Sequence, residues 1–255
     1  MTTMRRRPIL GQVLKRSGSL GLLMLILMNS PLCLGSEVDD RVFSAQSAYA
    51  AKRYDQALRD YSRAAALGSA IALFQLGVMH EQGQGVKSNA VEAARWYERA
   101  ADAGSSAGAK KLANMYYDGV GVTKDFNRAA ALYLRAGELG DSNSLFTLGQ
   151  MYLMGSMGAR DPQKAVEVFS KAAEKGNPLA MNALGIAYRL GDGVAKSDIS
   201  AYAYFKLAEE TGSVLARENL EKLASVISEA DRTAGEKRFV ELRGKLSANS
   251  KERDK

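Results

Sequence analysis

The stretch EQGQGVKSN, residues 81–89, holds Gly83 and Gly85 two positions apart. Glycines spaced in this way can bend a chain so that backbone N–H groups converge on a phosphate. A dinucleotide fingerprint also needs a strand before the glycines and a helix after them, and the lysine pattern of a P-loop is missing here. Other chemistry is as sparse. His80 is the sole histidine, which excludes H-E-x-x-H and any metal site built on two imidazoles. S-x-x-K does not occur either. Glu209 and Glu210 are neighbours on a helical stretch, where solvated carboxylates are the rule. The residues present therefore predict a non-enzyme with no catalytic residue, no metal and no cofactor.

The glycines return at a fixed interval. Gly119 and Gly121 lie in DGVGVTKD, and Gly191 and Gly193 in GDGVAKSD; between them GSMGARD has Gly155, with its second glycine displaced to Gly158, so the period is 36 residues. A motif present in every unit serves the unit, and the phosphate reading falls away. Gly68, Gly104, Gly140, Gly176 and Gly212 keep the same step, each followed by a helix-capping type: Ser69, Ser105, Asp141, Asn177 and Ser213. Glycine closes one helix in the left-handed conformation, and the next side chain accepts an N–H of the helix that follows. A second series of caps is Asn89, Asp125, Asp161 and Ser197, and Pro162 and Pro178 each stand one residue after a cap, where proline is tolerated best. Each unit reads as helix A (Ala70 to His80 in the first), a glycine loop, helix B (Ala90 to Ala103) and a tight corner.

The stripes agree with this division. In helix A, Leu76, Leu112, Leu148 and Leu184 precede Gly77, Ala113, Gly149 and Gly185. A glycine inside a helix costs about 1 kcal/mol relative to alanine, so its recurrence predicts a neighbour pressed too close to admit a side chain. Helix B carries Tyr97, Tyr133, Phe169 and Phe205 among alanines, to fill the space between units. Trp96 reads as packing, and His80, in a column otherwise held by Tyr116, Tyr152 and Tyr188, as the edge of the core.

Residues 1–35 read as a signal peptide. Five basic residues and no acidic one precede LGLLMLILM, an apolar run of nine residues, Leu20 to Met28. That run suits a secretory leader and is far short of the roughly 20 apolar residues of a spanning helix. Pro31 reads as a helix breaker, and Cys33 and Gly35 suit a cut before Ser36. An uncleaved membrane anchor is the competing reading, and membrane contact is expected only then. Cleavage lowers the formal charge from +7 to +2, which argues against nucleic acid, and removes the only cysteine, Cys33, and with it disulfides and thiolate chemistry. The expected location is periplasmic or secreted.

The pattern LG-x-x-[HY]-x-x-G-x-G-V followed by A-x-x-[WY]-[YF]-x-x-A-A-x-x-G resembles the Sel-one-like repeat family, a relative of the tetratricopeptide repeats. The resemblance covers four units, 70–105, 106–141, 142–177 and 178–213. It implies an all-α, right-handed α-solenoid of stacked helix-turn-helix repeats. Ahead of the four units, 37–69 reads as a tetratricopeptide-like hairpin with a first helix around Phe43 to Ala51; behind them, 214–245 reads as two capping helices, Val214 to Ile227 and Glu229 to about Lys245, and 246–255 as a disordered tail. Ser228 and Asp231 resemble a capping box.

In such stacks the A helices tend to line the concave face. The side of helix A away from the small-residue stripe gives three rows of candidate partner-binding residues: Phe74, Lys110, Phe146 and Asn182; Val78, Asn114, Gln150 and Ile186; Glu81, Tyr117, Leu153 and Arg189. Whether Phe74 and Phe146 open onto the groove or lie buried between units is left open by the sequence. The function implied is an exported scaffold or adaptor in envelope regulation, assembly or host contact, with a protein or peptide as partner and neither nucleic acid nor a small-molecule cofactor. The alternative is a cell-wall or β-lactam-interacting hydrolase, as linked to cysteine-rich members of the family, although the processed chain lacks their disulfides.

Overall fold

A computed structural model describes residues 31–253, and the leader expected over 1–35 falls largely outside them. Twelve helices and no strand are present among the described residues. They are α1 (Pro31–Ala50), α2 (Tyr54–Ala66), α3 (Ala70–Gln82), α4 (Ala90–Asp102), α5 (Ser106–Asp118), α6 (Phe126–Glu138), α7 (Ser142–Met154), α8 (Pro162–Glu174), α9 (Pro178–Leu190), α10 (Asp198–Glu210), α11 (Val214–Ala224) and α12 (Glu229–Arg253). Among the described residues no helix is long and apolar enough to cross a membrane.

The punctuation read from the sequence acts as capping chemistry. Ser69, Ser105, Asn177 and Ser213 each accept the backbone N–H three residues on, and Asn89 and Asp125 each accept two. Each such cap stabilises its helix by about 1 kcal/mol. Pro162 and Pro178 open α8 and α9 at the first helical position. The A helices α3, α5, α7 and α9 end on Gly83, Gly119, Gly155 and Gly191, all left-handed.

The second loop glycine answers the phosphate question from geometry. A Cβ on Gly121 would lie 2.5 Å from the backbone of Ala90, at the start of the preceding B helix, and Gly193 stands in the same relation to Pro162. The loop thus docks on the unit before it, and its concavity is filled by protein backbone. Gly158 in the third loop meets nothing within 4 Å. Beside it a gap of about 270 Å³ opens between Met151, Met157, Asn127 and Lys164.

In repeats one, three and four the aromatic residue of helix B lies on the bare backbone of helix A. A Cβ on Gly77 would come 2.5 Å from the Tyr97 ring, one on Gly185 2.5 Å from Phe205, and Gly149 faces Phe169 likewise. Tyr97 and Phe169 are buried, as are Leu76, Leu148 and Leu184 beside them. Each helix contacts its hairpin partner and the next hairpin, so the core is a run of similar joints rather than one centre.

The ends depart from expectation. The first described helix, Pro31–Ala50, extends well before the segment around Phe43 to Ala51. The last helix continues to Arg253, through most of the stretch expected to be a disordered tail. Its middle is held by α10: Phe239 is buried, Gly235 lies on the Tyr202 ring, and Arg243 pairs with Glu210 at 3.0 Å. α12 folds back on α10 and does not pair with α11, so the final hairpin is open. Ser228 caps α12 by accepting the Asp231 N–H at 3.0 Å.

The glycine joint sets a test. Repeat two carries Ala113 at this column, so one methyl can be absorbed there, whereas a branched side chain has no room. Gly185→Val is expected to destabilise the protein by about 1–3 kcal/mol, read as a lower thermal midpoint by circular dichroism. An unchanged midpoint would refute the close approach.

Candidate functional site

The twelve ribbon residues separate into two halves. In repeats one and two they are spent on neighbours. Glu81 of α3 receives Lys111 of α5 at 2.9 Å and the Tyr97 hydroxyl of α4, joining three helices. Lys110 reaches Asp141, the cap of α7, at 3.0 Å. The Tyr133 hydroxyl donates to Asn114 at 2.6 Å. Tyr117 packs edge-on against Phe126, with Lys124 near both rings. Val78 packs into the cluster around Tyr97.

Burial pulls the Glu81 carboxyl upward, but the Tyr97 and Lys111 hydrogen bonds and the Lys111 charge outweigh it and hold the group below the ordinary glutamate range. Burial and then the Glu81 carboxylate push the Tyr97 hydroxyl far up, so it stays a donor.

Phe74 and Phe146 resolve between the two readings the sequence left open. Each is half-buried, with its ring 5.7 Å from Tyr97 and 5.6 Å from Phe169 respectively. They are walls of the core more than open anchors, and replacing either with serine would disturb packing together with any binding.

Repeats three and four differ. Phe169 and Phe205 replace the tyrosines, so no hydroxyl asks for a polar partner from helix A. Gln150 and Ile186 are exposed, and Leu153 packs on the core. Asn182 accepts from Asn219 of α11 at 3.0 Å, and Arg189 pairs with Asp198 at 2.9 Å.

One column was missed. Met154, Leu190 and Val226 are 64%, 69% and 64% exposed, one per unit at 36-residue steps, where the earlier units have Gln82 and Asp118. The same period could have found it, but Met154 and Leu190 end their helices and were assigned to loops, and Val226, read as part of a capping helix, lies in the turn after α11. Leu190 and Val226 join Ile186 around a cleft of about 250 Å³ between α9 and α11, with Phe205 and Leu223 beneath and Arg189, Asn219 and Lys222 at its polar side. The structure thus brings Ile186 and Arg189 together in a cleft, and engages Glu81, Lys110, Asn114, Tyr117 and Asn182 within the stack.

His80 stacks on Trp96 at 6.2 Å, its Nδ1 is buried without a partner, and Arg99 lies over the Trp96 ring at 4.4 Å. Among the described residues no cluster of histidine, cysteine and carboxylates could hold a metal.

An all-α array of helical hairpins at a 36-residue period, with its distinctive side chains along one row of helices, is a helical-repeat scaffold. The model of the Sel1 repeat matches residues 70–105, 106–141, 142–177 and 178–213, more than half of the chain, and the protein belongs to that family. It is similar to the crystal structure of a protective antigen from uropathogenic Escherichia coli strains displaying an SLR fold, at 36% identity over 76% of this chain with TM-score 0.59. This chain spans only 41% of that protein. It is also similar to a Sel1 repeat protein from Oxalobacter formigenes, at 25% identity over 82% of this chain and 85% of the other, with TM-score 0.66. No curated protein matches the chain significantly. Sel1 repeat chains are generally non-catalytic scaffolds that mediate protein–protein interaction.

The Glu81 staple has a pH signature. Its folded-state pKa is lowered, so its stabilisation is present above the unfolded value of about 4.3 and lost as pH falls through the folded one. Lys111→Met is expected to cost no more than about 1 kcal/mol at pH 6, since both side chains are over a third exposed, and to reduce the stability lost on going to pH 3. Urea unfolding at the two pH values checks this; parallel losses in variant and parent would mean that the pair contributes nothing.

Proposed function

We propose that this protein is an exported, non-enzymatic adaptor that holds a protein or peptide partner on the A-helix face, at its apolar C-terminal half. The observation that carries the reading is the exposed column Met154, Leu190 and Val226 beside Ile186, on a chain whose A-face groups Glu81, Lys110 and Asn114 are engaged internally. Contiguous apolar side chains rimmed by polar ones mark a binding surface. Removal of the leader delivers the adaptor to the periplasm or beyond, and the description of the Escherichia coli relative as a protective antigen is in keeping with such a setting. Roles in envelope regulation, assembly or host contact fit an adaptor there.

A photo-crosslinking amino acid at position 190, compared with one at position 82, tests the reading in the intact envelope. A discrete protein adduct at 190 and none at 82 is expected. Leu190→Glu is expected to lower capture through a neighbouring probe at position 154 about tenfold, with the thermal midpoint unchanged. Equal labelling at both positions, or no adduct at 190, would remove this face from consideration.

A further inference from the structure

Two surfaces, one on the first described helix and one on the A-helix face of the last units, are complementary. On α1, Asp39, Asp40 and Phe43 stand four and three residues apart and share one exposed side. Phe43 is 72% exposed, more than any other large apolar side chain among the described residues. Glu37 is satisfied by Arg41 at 2.8 Å, while Asp39 and Asp40 have no ion-pair partner among the described residues. This face is an aromatic side chain flanked by free negative charge.

In the last units, the cleft between α9 and α11 is apolar, with two cations and no carboxylate in its lining. Arg189 shares its charge with Asp198, and Lys222 has no ion-pair partner among the described residues. Both cations sit in the last turn of a helix, where a negative helix end could cancel them. That end charge resides on unsatisfied carbonyls, and here the carbonyls of Ala187, Tyr188, Glu221, Lys222 and Leu223 accept hydrogen bonds from the following loop. The positive charge of Lys222 is therefore not cancelled locally.

We infer that the protein self-associates head to tail, the Asp39–Asp40–Phe43 face of one copy seating in the α9–α11 cleft of another. The inference rests on the cleft being a docking surface, as proposed above, and names its resident occupant: a second copy, which a partner must displace. Because head and tail are different surfaces, the contact is heterologous and extends into chains rather than closing as a pair. Opposite charges beside an apolar anchor fix the direction of assembly.

Sedimentation velocity on the full chain purified from the envelope tests this. Species larger than the monomer are expected to grow with protein concentration and to shrink with added salt. Phe43→Ser and Leu190→Glu are each expected to stay monomeric, and their equimolar mixture to give a dimer and nothing larger, since only one competent head then meets one competent tail. Lys222→Glu is expected to weaken assembly about fivefold, with recovery when it is mixed with Asp40→Lys, which also covers the case that Phe43→Ser folds poorly. A monomer at every concentration, oligomers that survive Phe43→Ser, or a mixture without dimer would overturn the inference. A monomeric chain that still yields the position-190 adduct with another protein would end self-association and leave the adaptor reading standing.

Discussion

The structure depends on an aromatic ring laid against a helix backbone that has no side chain in the way. Where Tyr97 meets Gly77, Phe169 meets Gly149 and Phe205 meets Gly185, the two helices of a hairpin approach as closely as a ring permits. The glycine costs about 1 kcal/mol of helix propensity, and the buried ring recovers more than that, since burying a large apolar side chain contributes about 1.5–3 kcal/mol. The contact also holds the opposite side of each A helix at a repeating position, which makes a row of exposed side chains into a surface.

Most of the architecture was legible because repetition turns a weak local signal into a strong one. A single glycine followed by a capping residue is an ambiguous turn; five at one interval are corners, and the caps they imply make the hydrogen bonds expected of them. The ends were less legible because nothing repeats there. The helix reaching Arg253 is held by Phe239 and Gly235 against α10, contacts between segments about thirty residues apart in sequence that no local pattern announces.

The ribbon of twelve residues was legible as a face and not as a site. Periodicity placed Glu81, Lys110 and Asn114 on the outer side of helix A, but it carries no information on whether a polar group there has already found a partner. The deciding detail was one hydroxyl. Tyr97 and Tyr133 carry one and draw Glu81 and Asn114 onto themselves; Phe169 and Phe205 lack it, and the helices above them present Ile186, Leu190 and Met154 outward. The change from tyrosine to phenylalanine in the core column thus coincides with the change from engaged polar to open apolar groups on the surface.

The third glycine loop has a mechanical consequence. Loops one, two and four press onto the B helix of the unit before them, whereas Gly158 has open space around it and a gap lies alongside. The seam between the second and third units therefore lacks the glycine-to-helix contact of the other seams and is held by the packed helices and the Lys110–Asp141 pair. It falls at the border between the charge-stapled half and the greasy half, so these two halves meet across one anchor fewer than the other neighbouring units do.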